Sequence, residues 1–286
     1  MPARKVLIVG ASGAVGSSLL RQLLALDNPP SIRVSSRNPT NTSFPASVEV
    51  VQGDFSDPSS YTRLFTGIDR AFLYVRPGVA FPQLLAAAKE AGVKYIVLLS
   101  SMTVEFDPES WIGKMHLDAE EAVRASGLQY TFLRPRNFAS NSKAFWVGMM
   151  QKTGKLSLVY PNAHAAPVTE DDMAAVGLVA LTTDKIVNQA IPLCGPISMS
   201  QQEQLEAINR LRKREGKKPI ELIVISPEEW KAQSGLDSGF ADQLLSWWKE
   251  SDGKPELIQS SERVTGKPSQ TYEEWLELNR DAFLMD

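Results

Sequence analysis

Residues 4–20 read Arg4-Lys5-Val6-Leu7-Ile8-Val9-Gly10-Ala11-Ser12-Gly13-Ala14-Val15-Gly16-Ser17-Ser18-Leu19-Leu20. The four apolar residues from Val6, three of them β-branched, predict a short strand buried on both faces. After the glycines, Val15, Leu19, Leu20, Leu23 and Leu24 recur at the spacing of an amphipathic helix. Strand, glycine turn and helix in that order form a phosphate-binding element. Gly10 permits the tight turn, Gly13 lets the backbone approach a pyrophosphate, and Gly16 lets the helix lie close on the strand. Ser12, Ala14 and Val15 complete the cradle, because the helix N-terminus directs its free N–H groups at the negative charge. Arg4 and Lys5 before an apolar run could also open a secretory signal. The run breaks at Gly10, Arg21 and Gln22 interrupt the next apolar stretch, and no small-residue cleavage site appears.

Beyond this element, strands are expected at 31–36, 48–52, 71–75, 95–99 and 130–133, alternating with helices at 59–65, 81–91 and 113–125. Asp57-Pro58 opens the first of these helices and Gly92 closes the second. This β-α alternation implies an α/β protein with a doubly wound parallel sheet and right-handed crossovers. The second half is less regular. Helices are expected at 144–151, from Glu170-Asp171-Asp172, and at 201–215 behind Ser198 to Ser200. Strands are expected at 191–193 and 220–225, and Ser226-Pro227-Glu228-Glu229 is a strong helix start. The expected division is a nucleotide-binding core over 1–155, with strand contributions from 165–195, and a smaller α+β substrate-binding region over 196–286.

Composition excludes several classes. The chain has 286 residues, 43% hydrophobic and 22% charged, with a net charge of −3. That balance offers no electrostatic case for nucleic acid or an anionic membrane, and no apolar run is long enough to span a bilayer. One cysteine, Cys194, excludes an internal disulfide framework and fits a reducing, cytoplasmic setting. Two histidines without a cysteine cluster make no zinc site. A monomer or homodimer acting on a small molecule is expected.

In such sheets ligands bind beyond the carboxyl ends of the strands. Folds of this kind that choose NAD place a carboxylate after the second strand, on the ribose hydroxyls. Here that position offers Ser35, Ser36, Arg37 and Asn38. Arg37 can grip a 2′-phosphate bidentately with Ser36 donating beside it, which favours NADP(H) over NAD(H). A solvated surface arginine is the plain alternative. Asp54 and Phe55, after the third strand, suit the adenine amino group and the edge of the base; Asp54 equally suits a turn cap. Val75, Arg76 and Pro77 follow the fourth strand, Ser100 and Ser101 the fifth, and Pro135, Asn137 and Phe138 the sixth. All are candidate coenzyme contacts.

Val97-Leu98-Leu99-Ser100-Ser101, Gly113-Lys114-Met115-His116-Leu117-Asp118-Ala119-Glu120 and Ser126-Gly127-Leu128-Gln129-Tyr130-Thr131-Phe132-Leu133-Arg134-Pro135-Arg136-Asn137-Phe138, with Asn141, resemble the NmrA-like atypical short-chain dehydrogenase/reductases. The G-x-x-G-x-x-G spacing of the first turn points the same way. Gly113 to His116 and Val264-Thr265-Gly266-Lys267-Pro268 are most similar to the fungal ergot-alkaloid dehydrogenases within that group (the agroclavine dehydrogenase and festuclavine synthase type). The resemblance spans the chain, dense to residue 141 and diffuse beyond. It implies a Rossmann core, a pyridine dinucleotide, and either a reductase of imines, enones or quinones or a redox-sensing regulator.

The chain departs from ordinary members in one respect. None of its six tyrosines has a lysine four residues on, so the usual phenol acid and its lysine are missing. Many relatives carry a lysine on the helix before Ser126-Gly127, and alignment from Gly127 places His116 there. Its unperturbed pKa near neutrality makes His116 the candidate acid/base group, with Lys114 as a second. An iminium carbon that accepts hydride becomes a neutral amine without a proton, so a chain lacking the tyrosine suits imine chemistry. A redox-neutral isomerase or cyclase that uses the coenzyme's positive ring fits as well. Trp111, Phe145, Trp146, Met149, Trp230 and Trp247 are the candidate lining of a pocket for a bulky apolar substrate. Packing at helical spacing is the plainer reading for most of them.

Overall fold

The computed structural model describes residues 4–39 and 44–285. In chain order its elements are β1 (Lys5–Ile8), α1 (Ala14–Leu24), β2 (Ser31–Ser36), β3 (Glu49–Gln52), α2 (Tyr61–Phe65), β4 (Arg70–Tyr74), α3 (Phe81–Glu90), β5 (Tyr95–Leu99), α4 (Thr103–Phe106), α5 (Trp111–Ser126), β6 (Gln129–Pro135), α6 (Ser140–Thr153), β7 (Lys155–Leu158), β8 (His164–Ala165), α7 (Glu170–Thr182), β9 (Gln189–Leu193), β10 (Met199–Ser200), α8 (Gln201–Arg214), β11 (Glu221–Val224), α9 (Pro227–Ser234), α10 (Ser238–Ser251), α11 (Glu262–Thr265), α12 (Tyr272–Leu278) and α13 (Arg280–Leu284).

Two compact units emerge, and they replace the expected boundaries at 155 and 196. The first comprises Met1–Pro135, Glu170–Leu193 and Ser261–Lys267; the second comprises Arg136–Thr169, Cys194–Ser260 and Pro268–Asp286. The chain leaves the sheet at Pro135, returns for α7 and β9, and returns again for α11.

In the first unit the seven strands run β3-β2-β1-β4-β5-β6-β9, all parallel. This is a doubly wound Rossmann-type sheet, and its order reverses between β1 and β4. The central strands are apolar on both faces because helices cover both. On one face α1 and α7 pack together, and the bare Cα of Gly177 lies near Leu19, Phe72 and Leu133. On the other, Leu64, Phe65, Leu84, Leu85, Ala119 and Val123 from α2, α3 and α5 bury against Leu7, Leu73, Ile96, Leu98 and Phe132.

The second unit has its own apolar cluster, in which Val147, Met150, Leu156, Leu205, Ile208, Tyr272, Trp275 and Phe283 meet. β7 pairs with β11 in parallel and β8 with β10 antiparallel. Ser200, Ser226 and Thr271 each close a capping box on α8, α9 and α12. Cys194 is buried there, and its Sγ accepts from the Gln259 N–H at 2.8 Å.

Candidate functional site

The glycine turn sits where β1 meets α1, and its three glycines answer different constraints. Gly10 has φ +79°, and a Cβ there would lie 2.8 Å from the Tyr74 ring. At Gly16 a Cβ would stand 2.2 Å from the Gly10 carbonyl oxygen, so helix and turn can approach only over hydrogen. Gly13 differs. Its φ −81°, ψ 170° backbone is open to any residue, and a Cβ would meet only the Gly10 oxygen, at 3.3 Å. Ser12, Gly13 and Ala14 are exposed, while Val15 is buried against the sheet. Helix geometry leaves the N–H groups of Ala14, Val15 and Gly16 outside the i→i−4 ladder. No acidic residue in the first turn of α1 offsets its positive end. An exposed, uncompensated helix start roofed by a bare glycine fits a pyrophosphate.

Around this turn lie the ends of β2, β3 and β4. Arg37 is exposed directly after β2, with no carboxylate from Ser35 to Asn38, and Ser36 Oγ accepts the Asn38 N–H at 3.2 Å. Asp54 Oδ1 accepts from both Ser56 N–H (2.9 Å) and Ser56 Oγ (2.6 Å), which lowers its pKa; Arg76 and Arg37 lower it further. Asp54 is therefore a turn cap, held loosely to Arg76 Nη1 at 3.7 Å. Phe55 corrects the expectation of a base-edging ring: it is 2% exposed and packs on Tyr74 in the core.

Ser100 also proves to be committed elsewhere. Its Oγ donates to Glu120 Oε1 at 2.7 Å inside a buried ionic cluster. Glu120, fully buried on α5, also receives Arg134 Nε (2.9 Å) and Nη2 (2.5 Å) as a bidentate fork, and Arg124 Nη2 at 3.0 Å. Arg134 Nη1 reaches on to Glu105 at 2.6 Å. This cluster ties the middle of α5 to the carboxyl ends of β5 and β6. Ser101 Oγ meanwhile accepts from Thr103 N–H and Oγ1, opening α4.

His116 stands one helical turn before Glu120. Its Nδ1 is sealed from solvent without a hydrogen-bond partner. Burial pushes its pKa down to about 4, and the Glu120 carboxylate offsets only part of that. The expectation of a near-neutral pKa is thus corrected: His116 is a neutral imidazole at pH 7. Since the unfolded chain takes up a proton near pH 6.5 and the folded one only near pH 4, stability should fall as pH drops between those values. The melting temperature of His116→Gln should fall less between about pH 7 and 5 than the parent's. Equal falls would show that this imidazole ionises freely in the fold.

Lys114 and His116, two residues apart on α5, cannot share a face, and the structure separates them. Lys114 lies instead in a cleft of about 400 Å³ within the first unit, with Arg76, Pro77, Phe81, Trp111, Met115 and Asp118 among its lining. Val75 lines it too, so the cleft joins three of the expected coenzyme contacts to Trp111 and Lys114. The other apolar candidates belong to the second unit. Phe145 is 46% exposed, Trp146 and Met149 pack on that unit's core, Trp230 meets Trp248 edge-to-face at 4.9 Å, and Trp247 is half-buried on α10. Asn137 and Phe138 also fall in the second unit, where Asn137 and Ala139 exchange backbone hydrogen bonds with Val168.

Glu120 is the residue that sequence reasoning passes over, though a signal for it exists. A carboxylate between Ala119 and Val123 on one helix, and an arginine inside the apolar run of 130–135, mark two buried faces due to pack together.

The NAD(P)H-binding family description matches residues 10–184. A (4-alkanoyl-5-oxo-2,5-dihydrofuran-3-yl)methyl phosphate reductase of Streptomyces griseus is 30% identical, over 97% of this chain and 99% of that one. An NAD(P)H azoreductase of Xenophilus azovorans is 26% identical over the same shares. Among solved structures, an NADPH-dependent quinone oxidoreductase of Escherichia coli in complex with NADPH superposes with a TM-score of 0.79 at 22% identity, covering 96% of this chain and 99% of that one. The chain belongs to the NAD(P)H-binding family, on its NmrA-like reductase branch. Its cofactor is NAD(P)H. Among the described residues no helix is long and apolar enough to cross a membrane.

Proposed function

We propose that the protein is an NADPH-dependent reductase that delivers hydride to a C=N or C=C bond of a bulky apolar small molecule. The observation that carries the choice of coenzyme is Arg37, exposed after β2 with no carboxylate beside it. The turn over residues 10–16 holds the pyrophosphate, Arg37 and Ser36 hold the 2′-phosphate, and Val75 to Pro77 flank the adenosine side. When bound, the reduced nicotinamide supplies the hydride. The relatives' reductions of a dihydrofuranone phosphate and of azo compounds support an unsaturated organic acceptor. An alkaloid-type substrate is the narrower form of this reading, resting on the Gly113–His116 and Val264–Pro268 stretches.

His116 serves as a positioning residue. A neutral imidazole cannot give up a proton as imidazolium at pH 7, but it can orient an acceptor by hydrogen bonding. His116→Ala should lower turnover by about 10²-fold, the scale of a small misplacement, while His116→Gln keeps most of it. A glutamine variant as slow as the alanine one would show that the proton matters after all.

Arg37→Ala should weaken NADPH binding by about 1.5–3 kcal/mol, the scale of a charged hydrogen bond, with NADH little affected by calorimetry. Equal loss for both nucleotides would overturn the assignment of the 2′-phosphate. NADPH oxidation in the presence of quinones, azo dyes, enones and cyclic iminium ions tests the activity itself. Tight NADPH binding without oxidation by any of them would favour a dinucleotide-sensing regulator.

A further inference from the structure

The cleft between the β4–α3 connection and α5 brings together two cations in an arrangement that hydride transfer does not require. Arg76, Lys114 and one carboxylate, Asp118, line this cleft of about 400 Å³. That volume lies in the range of small-molecule sites. Its lining carries two cations and one carboxylate in a chain whose net charge is −3, with Asp54 as a loose counter-charge to Arg76. Lys114 makes no ion pair among the described residues, although Asp118 lies one helical turn on, and the contact of Arg76 with Asp54 is long. Between the cations the lining is apolar: Val75, Pro77, Val79, Phe81, Pro82 and Met115, with Trp111 at 64% exposure. An indole left so open at a helix start, beside an unpaired ammonium, is a surface that an apolar body with one anionic group would cover.

The same α5 sends His116 and Glu120 in another direction. His116 is not among the cleft's lining residues, and its neighbour Glu120 is tied to β5 and β6. The body of the cleft, over Trp111, Lys114 and Met115, therefore lies apart from His116. Val75, Arg76 and Pro77 belong to both sites, as one wall of the cleft and as the flank of the coenzyme's adenosine side.

We infer that this cleft is a second binding site, for a small amphiphilic anion: an aromatic or alkyl body bearing one sulfonate, carboxylate or phosphate group. The body lies on Trp111, Met115 and Phe81, and the anionic group lies between Lys114 and Arg76. The site is open to solvent and shares only its Val75–Pro77 wall with the coenzyme.

Anilinonaphthalene sulfonate and its neutral counterpart N-phenylnaphthylamine are the probes, titrated by fluorescence against the full chain already saturated with NADPH. The sulfonate should bind saturably and at least about 5-fold tighter than the neutral dye, the scale of one ion pair. Lys114→Gln should weaken it by about 3-fold, within the range of an exposed ion pair, and Trp111→Ala by about 10-fold, the scale of losing a buried aromatic contact. NADPH affinity, measured separately by calorimetry, should stay the same in both variants. Equal binding of the two dyes, or undiminished binding by Trp111→Ala, would overturn the site. Competitive displacement of the sulfonate by NADPH would overturn it differently, by making the cleft part of the coenzyme site. A failure of NADPH to bind at all would instead strike the reductase reading and leave the cleft testable on the free protein.

Discussion

Glu120→Ala should destabilise the first unit by about 3–5 kcal/mol, the range for removing one partner of a buried ion pair. The carboxylate is fully buried and accepts four hydrogen bonds, two from Arg134 and one each from Arg124 and Ser100. Its removal strands the Arg134 guanidinium, itself nearly buried, with Glu105 alone as counter-charge. The loss exceeds what any single hydrogen bond contributes, because desolvated charge left unpaired dominates it. Urea unfolding should show the midpoint falling with the slope unchanged. Replacing both partners, Glu120→Met with Arg134→Met, should recover a large part of the loss, since the apolar pair leaves no buried charge. A single-variant loss below about 1 kcal/mol would mean that water reaches the cluster and the pair acts as a surface bridge.

The parallel sheet is legible because its strands are buried on both faces and therefore apolar throughout, as in 95–99, where strand and expectation coincide at Tyr95–Leu99. Boundaries shift where local chemistry is ambiguous. β1 takes in Lys5, whose amide is held by the Asp69 carboxylate just before the neighbouring strand β4. Helix α4 leaves no sequence signal because Thr103–Phe106 is a single turn, too short for any periodicity to show. α6 extends over Ser140–Thr153 and is followed by β7 and then β8, elements whose partners β11 and β10 lie far along the chain.

The candidate site is legible to a different degree. Turn glycines and an arginine after β2 follow from local spacing, so a single chain reveals them. The commitment of Ser100 to Glu120, and the burial that keeps His116 neutral, depend on which faces meet in three dimensions. A motif names the residue types near the chemistry; packing decides their protonation and their partners. The same limit explains Lys114 and His116, neighbours in the motif and set on different faces of α5.

Gly13→Val should abolish coenzyme binding, with NADPH and NADH affinity both falling more than about 10²-fold as the side chain fills the approach of the pyrophosphate. Gly13 differs from its neighbours in what constrains it. Its backbone lies in the extended region that β-branched residues favour, it is exposed, and its would-be Cβ meets only the Gly10 oxygen at 3.3 Å. The fold therefore tolerates valine there at a cost on the order of 1 kcal/mol, the scale of a poor N-cap residue. Nothing inside the protein calls for glycine at that point, so a ligand lying against the backbone is the remaining reason. Gly16→Val makes the contrast. With a Cβ 2.2 Å from the Gly10 oxygen, it should lower the melting temperature steeply whether or not NADPH is present. Calorimetry for affinity and thermal unfolding for stability should thus divide the two variants, the first losing the ligand and the second losing the fold. If Gly13→Val still bound NADPH within a few-fold of the parent, the turn would not be the phosphate site, and the assignment of Arg37 to the 2′-phosphate would fall with it.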